Sequence, residues 1–150
     1  MHFQNRNLFD MTGRTVWVLG GAGYLGRACV TLLSSLGAQI VCIDLGNKAS
    51  EFLKEAQLPD NVTAETLDVG DIKACSGLVE AVIQKNGVPD GLVNLTFAST
   101  SKSFDTLNAE DFDFVNHGGI TATFFMAREI GNRMAELNRG SMVLFSSMYG

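Results

Sequence analysis

The segment that most restricts the possible folds is a short apolar run leading directly into glycines and then into a helix-like stretch. Val16–Leu19 forms the apolar run, and glycines follow at positions 20, 21, 23 and 26. A tight strand-to-helix turn needs glycine where φ is positive, and N–H groups at a helix start bind anions. The pattern predicts a dinucleotide pyrophosphate site, with a purely structural turn as the alternative. The expected contacts are Gly20, Gly21, Gly23, Tyr24 and Leu25.

Short strand-like runs alternate with longer helix-like segments along the chain. This alternation favours βαβ units with a parallel sheet covered by helices on both faces. We therefore expect an α/β fold, a doubly wound parallel sheet (Rossmann fold) of about five strands. The predicted strands are Thr15–Leu19, Gln39–Ile43, Val62–Leu67, one within Val88–Leu95, and Ser141–Phe145. The predicted helices are Tyr24–Leu36, Lys48–Ala56, Ile72–Gln84, and a long one from Asn108 to about Leu137.

Composition narrows the class of protein. The chain has 150 residues, enough for one domain, and 46% of them are hydrophobic. Its net charge of −5 argues against nucleic acid or an anionic membrane as the main partner. No apolar run reaches the ~20 residues that span a bilayer, and the polar N-terminus has no signal-peptide pattern. Three cysteines without metal-ligand spacing predict buried thiols, no metal site and a cytoplasmic protein.

Two carboxylates follow predicted strands at the edge where the glycine turn lies. Asp44 comes 18 residues after Gly26, where a carboxylate accepts hydrogen bonds from a ribose diol. It would repel a 2′-phosphate, so NAD is favoured over NADP, although Lys48 in the next loop is a candidate phosphate contact. Asp68 and Val69 follow the third strand and are expected to meet the adenine. A turn cap is the alternative for Asp68.

These residues together resemble the short-chain dehydrogenase/reductase family over nearly the whole chain. The glycine turn is similar to the family's Thr-Gly-x-x-x-Gly-x-Gly signature, with Leu19 in place of Thr. Its Gly-x-x-Gly-x-x-Gly spacing is closer to the family's extended branch. Asp68-Val69 resembles the family's adenine-binding Asp-Val pair. Asn94 stands where the family has an Asn-Asn-Ala-Gly motif, and the next three residues differ from it.

The resemblance also implies catalytic residues. Asn116 in the long helix matches the family's catalytic asparagine, and Ser147 after the fifth strand matches its catalytic serine. An amide in an apolar helix needs a hydrogen-bond partner, and Gly118-Gly119 weakens the helix, so we expect a local irregularity there. The family's Tyr-x-x-x-Lys pair would fall after Gly150. Residues 1–150 are then expected to form an NAD(P)-binding domain that is incomplete at its C-terminus and inactive alone.

The function implied by the resemblance is hydride transfer between a nicotinamide cofactor and a small alcohol or carbonyl substrate, a sugar being one candidate. Two alternatives stay open: an extended-branch epimerase or dehydratase acting on nucleotide sugars, and a nucleotide-binding sensor without turnover. A homo-oligomer through the long helix 109–137 is also expected. Its proposed apolar stripe comprises Phe112, Val115, Ala122, Met126, Ile130 and Leu137.

Overall fold

The computed structural model describes residues 8–146, in which five strands form one sheet. The strands are β1 (Thr15–Leu19), β2 (Gln39–Asp44), β3 (Val62–Thr66), β4 (Gly91–Asn94) and β5 (Ser141–Leu144). The α-helices are α1 (Tyr24–Ser35), α2 (Lys48–Glu55), α3 (Ile72–Asn86), α4 (Ala109–Asn116) and α5 (Ala122–Glu136). A short 3-10 turn, Phe104–Thr106, precedes α4, and a π-helical turn, His117–Thr121, joins α4 to α5.

The sheet is parallel throughout, with strand order β3-β2-β1-β4-β5. This order confirms the predicted doubly wound sheet with helices on both faces. β2 runs one residue further than predicted because Asp44 still pairs with Thr66 of β3. The other predicted ends differ by a few residues at most, apart from the division of the long helix.

Two apolar clusters cover the two faces of the sheet, and β1 contributes to both. Trp17 and Leu19 pack with residues of α3 and α5, whereas Val16 and Val18 pack with residues of α1 and α2. All four side chains are buried. A strand that is apolar on both faces requires helices on both sides, so this burial fixes β1 at the centre of the molecule.

The long helical segment is divided by the π-helical turn, and this changes which side chains face the sheet. Ala122, Met126 and Ile130 are fully buried, while Phe112 and Leu137 are 66% and 48% exposed. The prediction of one continuous apolar stripe is therefore wrong. A π-turn adds one residue to the helix, which rotates all later side chains by about 100°. Residues spaced by seven across such a turn therefore do not lie on one face of the helix.

Within residues 8–146, β5 forms an edge of the sheet. It pairs with β4 on one side, and Met142, Val143 and Leu144 are 36%, 49% and 48% exposed. An apolar parallel edge strand of this kind is open to pairing or packing with a further protein segment. None of the helices within residues 8–146 combines the length and the apolar character needed to cross a membrane.

The buried Cys42 thiol predicts how stability depends on pH. Burial raises its pKa from 9.0 to about 12, with a smaller contribution from the Asp44 carboxylate. The unfolded thiol ionises at its ordinary pKa while the folded one stays protonated. The resulting stability is complete below about pH 9 and is lost as the pH rises towards 12.

We expect the free energy of unfolding to fall by up to about 1 kcal/mol per pH unit above pH ~9 through this group. Urea unfolding followed by the fluorescence of Trp17, the single tryptophan, measures it. Cys42→Ala should show a shallower alkaline loss than the wild type. Equal slopes in the two proteins would contradict the prediction.

Candidate active site at the carboxyl edge of the sheet

The predicted site residues lie at the carboxyl edge of the sheet, around the end of β1. Leu19 pairs with Ile43 of β2 on one side and with Asn94 of β4 on the other. The chain passes from β1 to β2 on one side, while β4 occupies the other, so the loops leave this edge in opposite directions. Such a switch point opens the crevice where ligands of doubly wound sheets bind.

The glycine turn at this edge is packed backbone against backbone. Gly20 has φ +72°, and the N–H groups of Gly20 and Gly21 donate to the Ile43 carbonyl at 2.9 and 3.2 Å. A Cβ atom added at Gly26 would lie 2.1 Å from the Gly20 carbonyl oxygen. No side chain fits at position 26, so the start of α1 lies directly against the end of β1.

The first turn of α1 presents free backbone donors to this crevice. Gly23 caps the helix without a side-chain hydrogen bond, and the first turn carries no acidic residue. Tyr24 is 94% exposed and Leu25 56% exposed, so neither side chain covers the helix end. Uncapped N–H groups and the positive end of the helix dipole suit an anionic group. The residues present therefore fit the pyrophosphate of a dinucleotide.

Asp44 lies beside the glycine turn and hydrogen-bonds to it. Its Oδ2 accepts from the Ala22 N–H at 2.9 Å, and its Oδ1 accepts from the Leu45 N–H at 2.8 Å. A carboxylate has about four acceptor positions, so it can also accept from a ligand. The sequence predicted Asp44 as a ribose contact from its position at the carboxyl end of the second strand. It did not predict the hydrogen bond from Ala22.

Arg27 binds the carbonyl group of the same residue, Ala22. Its Nε donates to the Ala22 carbonyl at 3.0 Å, and its Nη1 pairs with Glu55 of α2 at 2.8 Å. The guanidinium also lies 4.8 Å from the ring centre of Phe52. The glycine turn is thus bound to both β2 and α2. The sequence carries no signal for this role beyond a basic residue after the last glycine.

The loop after β3 carries Asp68 and Val69, the predicted adenine contacts. Asp68 is exposed and its Oδ1 accepts from the Gly70 N–H at 2.9 Å, which is the turn interaction given above as the alternative. Val69 is half-buried against the cluster formed with α3 and α5. Asp68 keeps further acceptor positions on its carboxylate. The adenine contact expected of Asp68 and Val69 stays a prediction.

Asn94 ends β4 and is almost fully buried. Its Oδ1 accepts from the Thr96 N–H at 3.0 Å and from the Thr96 hydroxyl at 2.7 Å. Its Nδ2 donates to the Thr123 hydroxyl of α5 at 3.0 Å. Both lone pairs of the oxygen are used within the protein, so a cofactor contact by Asn94 would have to use its second amide hydrogen.

Asn116 is the last residue of α4, directly before the π-helical turn. Its Nδ2 donates to the Phe112 carbonyl at 2.9 Å, which supplies the partner that a helical amide needs. The irregularity expected at Gly118-Gly119 is this π-turn, a feature common at functional sites. A Cβ atom at Gly118 would lie 2.5 Å from that of Ala98, so the turn packs against the loop after β4.

The end of β5 reaches the same region. The Phe145 N–H donates to the Asn94 carbonyl at 3.4 Å, which brings Ser146 close to the end of β4. The other predicted catalytic residue, Ser147, lies outside the described residues. The structure therefore brings together the glycine turn, Asp44, Asn94 and the end of β5 at one edge.

A second concave region lies at the opposite, amino edge of the sheet. This groove of about 360 Å³ has Val16, Gly91 and Val143 in its wall. Arg14 and Arg139 lie at its rim, and both pair with the Asp90 carboxylate. Two guanidinium groups thus share one carboxylate at this edge of the sheet. Within residues 8–146, no group of three or more His, Cys, Asp or Glu side chains is arranged to hold a metal ion.

Comparison with known proteins shows the family and supports the fold. The short chain dehydrogenase family model matches residues 14–150. The chain belongs to the short-chain dehydrogenase family. It is 29% identical to D-threitol dehydrogenase of Mycolicibacterium smegmatis over 93% of this chain and 54% of that protein. It is also 29% identical to the 3-oxoacyl-acyl-carrier-protein reductase FabG of Thermotoga maritima, over 93% of this chain and 58% of that protein.

This short-chain dehydrogenase chain spans about half the length of the curated relatives given above. These relatives are oxidoreductases, which supports that enzyme class. The crystal structure of gox2181 matches with a TM-score of 0.86 at 23% identity, covering 95% of this chain and 56% of that chain. That likeness supports the fold alone.

Two helical glycines test the packing of the π-turn. Gly118→Ala should lower the free energy of unfolding by about 1–3 kcal/mol, because its methyl group would overlap Ala98. The matched control is Gly77→Ala in α3, where an added methyl meets nothing within 4 Å. It should raise stability by about 0.5–1 kcal/mol through helix propensity. Urea denaturation measures both, and equal effects of the two substitutions would refute the close packing.

Proposed function

We propose that this chain forms the NAD-binding part of an oxidoreductase that moves hydride between nicotinamide and an alcohol or carbonyl substrate. Family membership and the class of the relatives support the reaction type. The observation that carries the cofactor assignment is the Asp44 carboxylate held 2.9 Å from the Ala22 N–H at the switch point. A negative charge fixed beside the pyrophosphate turn suits a ribose diol and repels a 2′-phosphate.

In this proposal the cofactor lies across the carboxyl edge of the sheet. The turn at Gly20–Leu25 holds the pyrophosphate, and Asp44 accepts from the adenosine ribose. Asp68 and Val69 meet the adenine, and Asn94 orders the loop beneath the cofactor. When bound, the nicotinamide supplies the hydride acceptor or donor.

The proposed catalytic groups in this chain are Asn116 and Ser147. Asn116 uses its Nδ2 on the Phe112 carbonyl, which leaves its Oδ1 to accept from a water in a proton relay. Ser147 follows β5, where a hydroxyl can donate to the substrate oxygen and polarise the carbonyl. Residues 1–150 then form the cofactor-binding unit, and the substrate is a small alcohol or carbonyl compound.

Cofactor choice gives a direct test of the Asp44 assignment. Trp17 lies three residues before Gly20, about 10 Å along the strand, so a reduced nicotinamide bound nearby should quench its fluorescence by energy transfer. We expect NADH to bind at least about tenfold more tightly than NADPH. Placing the 2′-phosphate of NADPH beside the Asp44 carboxylate brings two negative charges together, which should cost more than about 1.4 kcal/mol.

The matched variants are Asp44→Asn and Asp60→Asn. Each removes one negative charge, but Asp60 is exposed before β3, on the opposite edge of the sheet. Asp44→Asn should narrow the gap between NADH and NADPH, whereas Asp60→Asn should leave it unchanged. Tighter binding of NADPH by the wild type would overturn the NAD assignment. Binding of neither nucleotide would overturn the proposed function.

We further propose association with a second copy through the long helical segment 109–137. Its outer side exposes Phe112, Phe114, Ile120 and Phe124, which are 66%, 60%, 71% and 58% exposed. Apolar side chains in this number on one segment are typical of a protein interface. This surface replaces the stripe inferred from sequence, because Ala122, Met126 and Ile130 of that stripe are in the core.

Sedimentation velocity over a concentration series tests this interface. The wild type should associate, and the double variant Ile120→Glu/Phe124→Glu should weaken association at least about tenfold by burying unpaired charge. Leu32→Glu is the control, since Leu32 is 59% exposed on α1 on the other face of the sheet. A wild-type monomer at all concentrations, with a sharp cooperative melt, would contradict the proposal.

A further inference from the structure

His117 joins two loops that are distant in sequence. Its Nε2 lies 2.7 Å from the carbonyl oxygen of Gly70, which is 47 residues earlier in the chain. A carbonyl oxygen carries no hydrogen, so Nε2 is the donor and the ring must be protonated at that nitrogen. The bond connects the π-helical turn to the loop between β3 and α3.

The loop on one side of this bond carries the proposed adenine contacts. Gly70 donates its N–H to Asp68 Oδ1 at 2.9 Å, and its carbonyl also accepts from the Ile72 N–H at 3.1 Å. These bonds are local and set the shape of the loop. The bond from His117 sets where the loop lies relative to the rest of the carboxyl edge.

The π-turn on the other side of the bond carries Asn116, the residue directly before His117. This turn is also held from β4, by the contact of Gly118 with Ala98 and by the Asn94–Thr123 hydrogen bond of 3.0 Å. The turn is thus bound on one side to the loop after β4 and on the other to the loop after β3. His117 supplies the second attachment.

His117 is exposed and is not part of either apolar cluster described above. Replacing it opens no cavity in the core. The hydrogen bond to Gly70, which joins two loops at the candidate site, is therefore the interaction through which His117 would act.

We infer that His117 is a positioning residue that holds the Asp68–Asp71 loop in a fixed place relative to Asn116. The hydrogen bond from His117 fixes the position of the expected adenine contacts relative to Asn116, the proposed catalytic asparagine. This inference rests on the proposed function, because that proposal assigns Asp68 and Val69 to the adenine. The only sequence feature that bears on this role is that a polar residue follows Asn116.

Two substitutions separate the hydrogen bond from simple occupancy of the site. His117→Leu keeps similar volume without a donor, and His117→Gln places an amide N–H near the position of Nε2. Asn132→Ala on α5 is the control, since Asn132 is exposed and belongs neither to the π-turn nor to the loop after β3. Melting curves verify that all variants of the full chain fold.

The first measurement is the affinity for AMP, which contains the adenosine half of the cofactor and lacks the nicotinamide half. Loss of one neutral hydrogen bond should weaken AMP binding about fivefold in His117→Leu. His117→Gln and Asn132→Ala should stay within about twofold of the wild type. The second measurement is amide hydrogen exchange at residues 68–72 without nucleotide, which should be faster in His117→Leu than in His117→Gln.

Wild-type AMP binding and wild-type exchange in His117→Leu would overturn the inference. Equal losses in the Leu and Gln variants would also overturn it, because the hydrogen bond would then not be the cause. A wild type that binds no AMP would instead refute the proposed function and the adenine role. In that case the exchange data alone decide whether His117 fixes the loop.

Discussion

The carbonyl oxygen of Gly20 lies only 2.1 Å from the position that the Cβ atom of any other residue at position 26 would take. This contact places the first turn of α1 against the end of the central strand, and the rest of the candidate site depends on it. The free N–H groups of α1 point to the carboxyl edge only because the turn is this tight. Asp44 and Arg27 then bind the N–H and the carbonyl of Ala22. The turn is a rigid part of the fold as well as a candidate anion site.

The loops at the carboxyl edge are connected in a continuous series. A Cβ atom added at Gly20 would lie 3.1 Å from the backbone carbon of Leu95, and Asn94 ties that loop to α5. The π-turn follows next, and His117 connects it to the loop after β3. Each loop is therefore positioned by its neighbour as well as by its own strand. Such mutual support is what a site needs in order to hold several groups of one extended ligand in fixed places.

Much of this arrangement could be predicted from the sequence because it depends on local patterns. Short apolar runs between helices indicate a parallel sheet, and Asp44 follows from its place after a strand. The exposed face of the long helix could not be predicted in the same way, because the π-turn shifts Ala122 and later residues relative to Phe112. The tie made by His117 is also beyond sequence patterns, since its partner is a backbone carbonyl.

The proposed function places the dinucleotide at the carboxyl edge of the sheet and not in the groove at the amino edge. Titration with ADP-ribose, followed residue by residue through backbone amide chemical shifts, separates the two sites. Binding at the carboxyl edge should give the largest shifts at Gly23–Leu25, with further shifts at Asp44 and Val69. Shifts concentrated instead at Arg14 and Gly91, in the wall of the amino-edge groove, would contradict it.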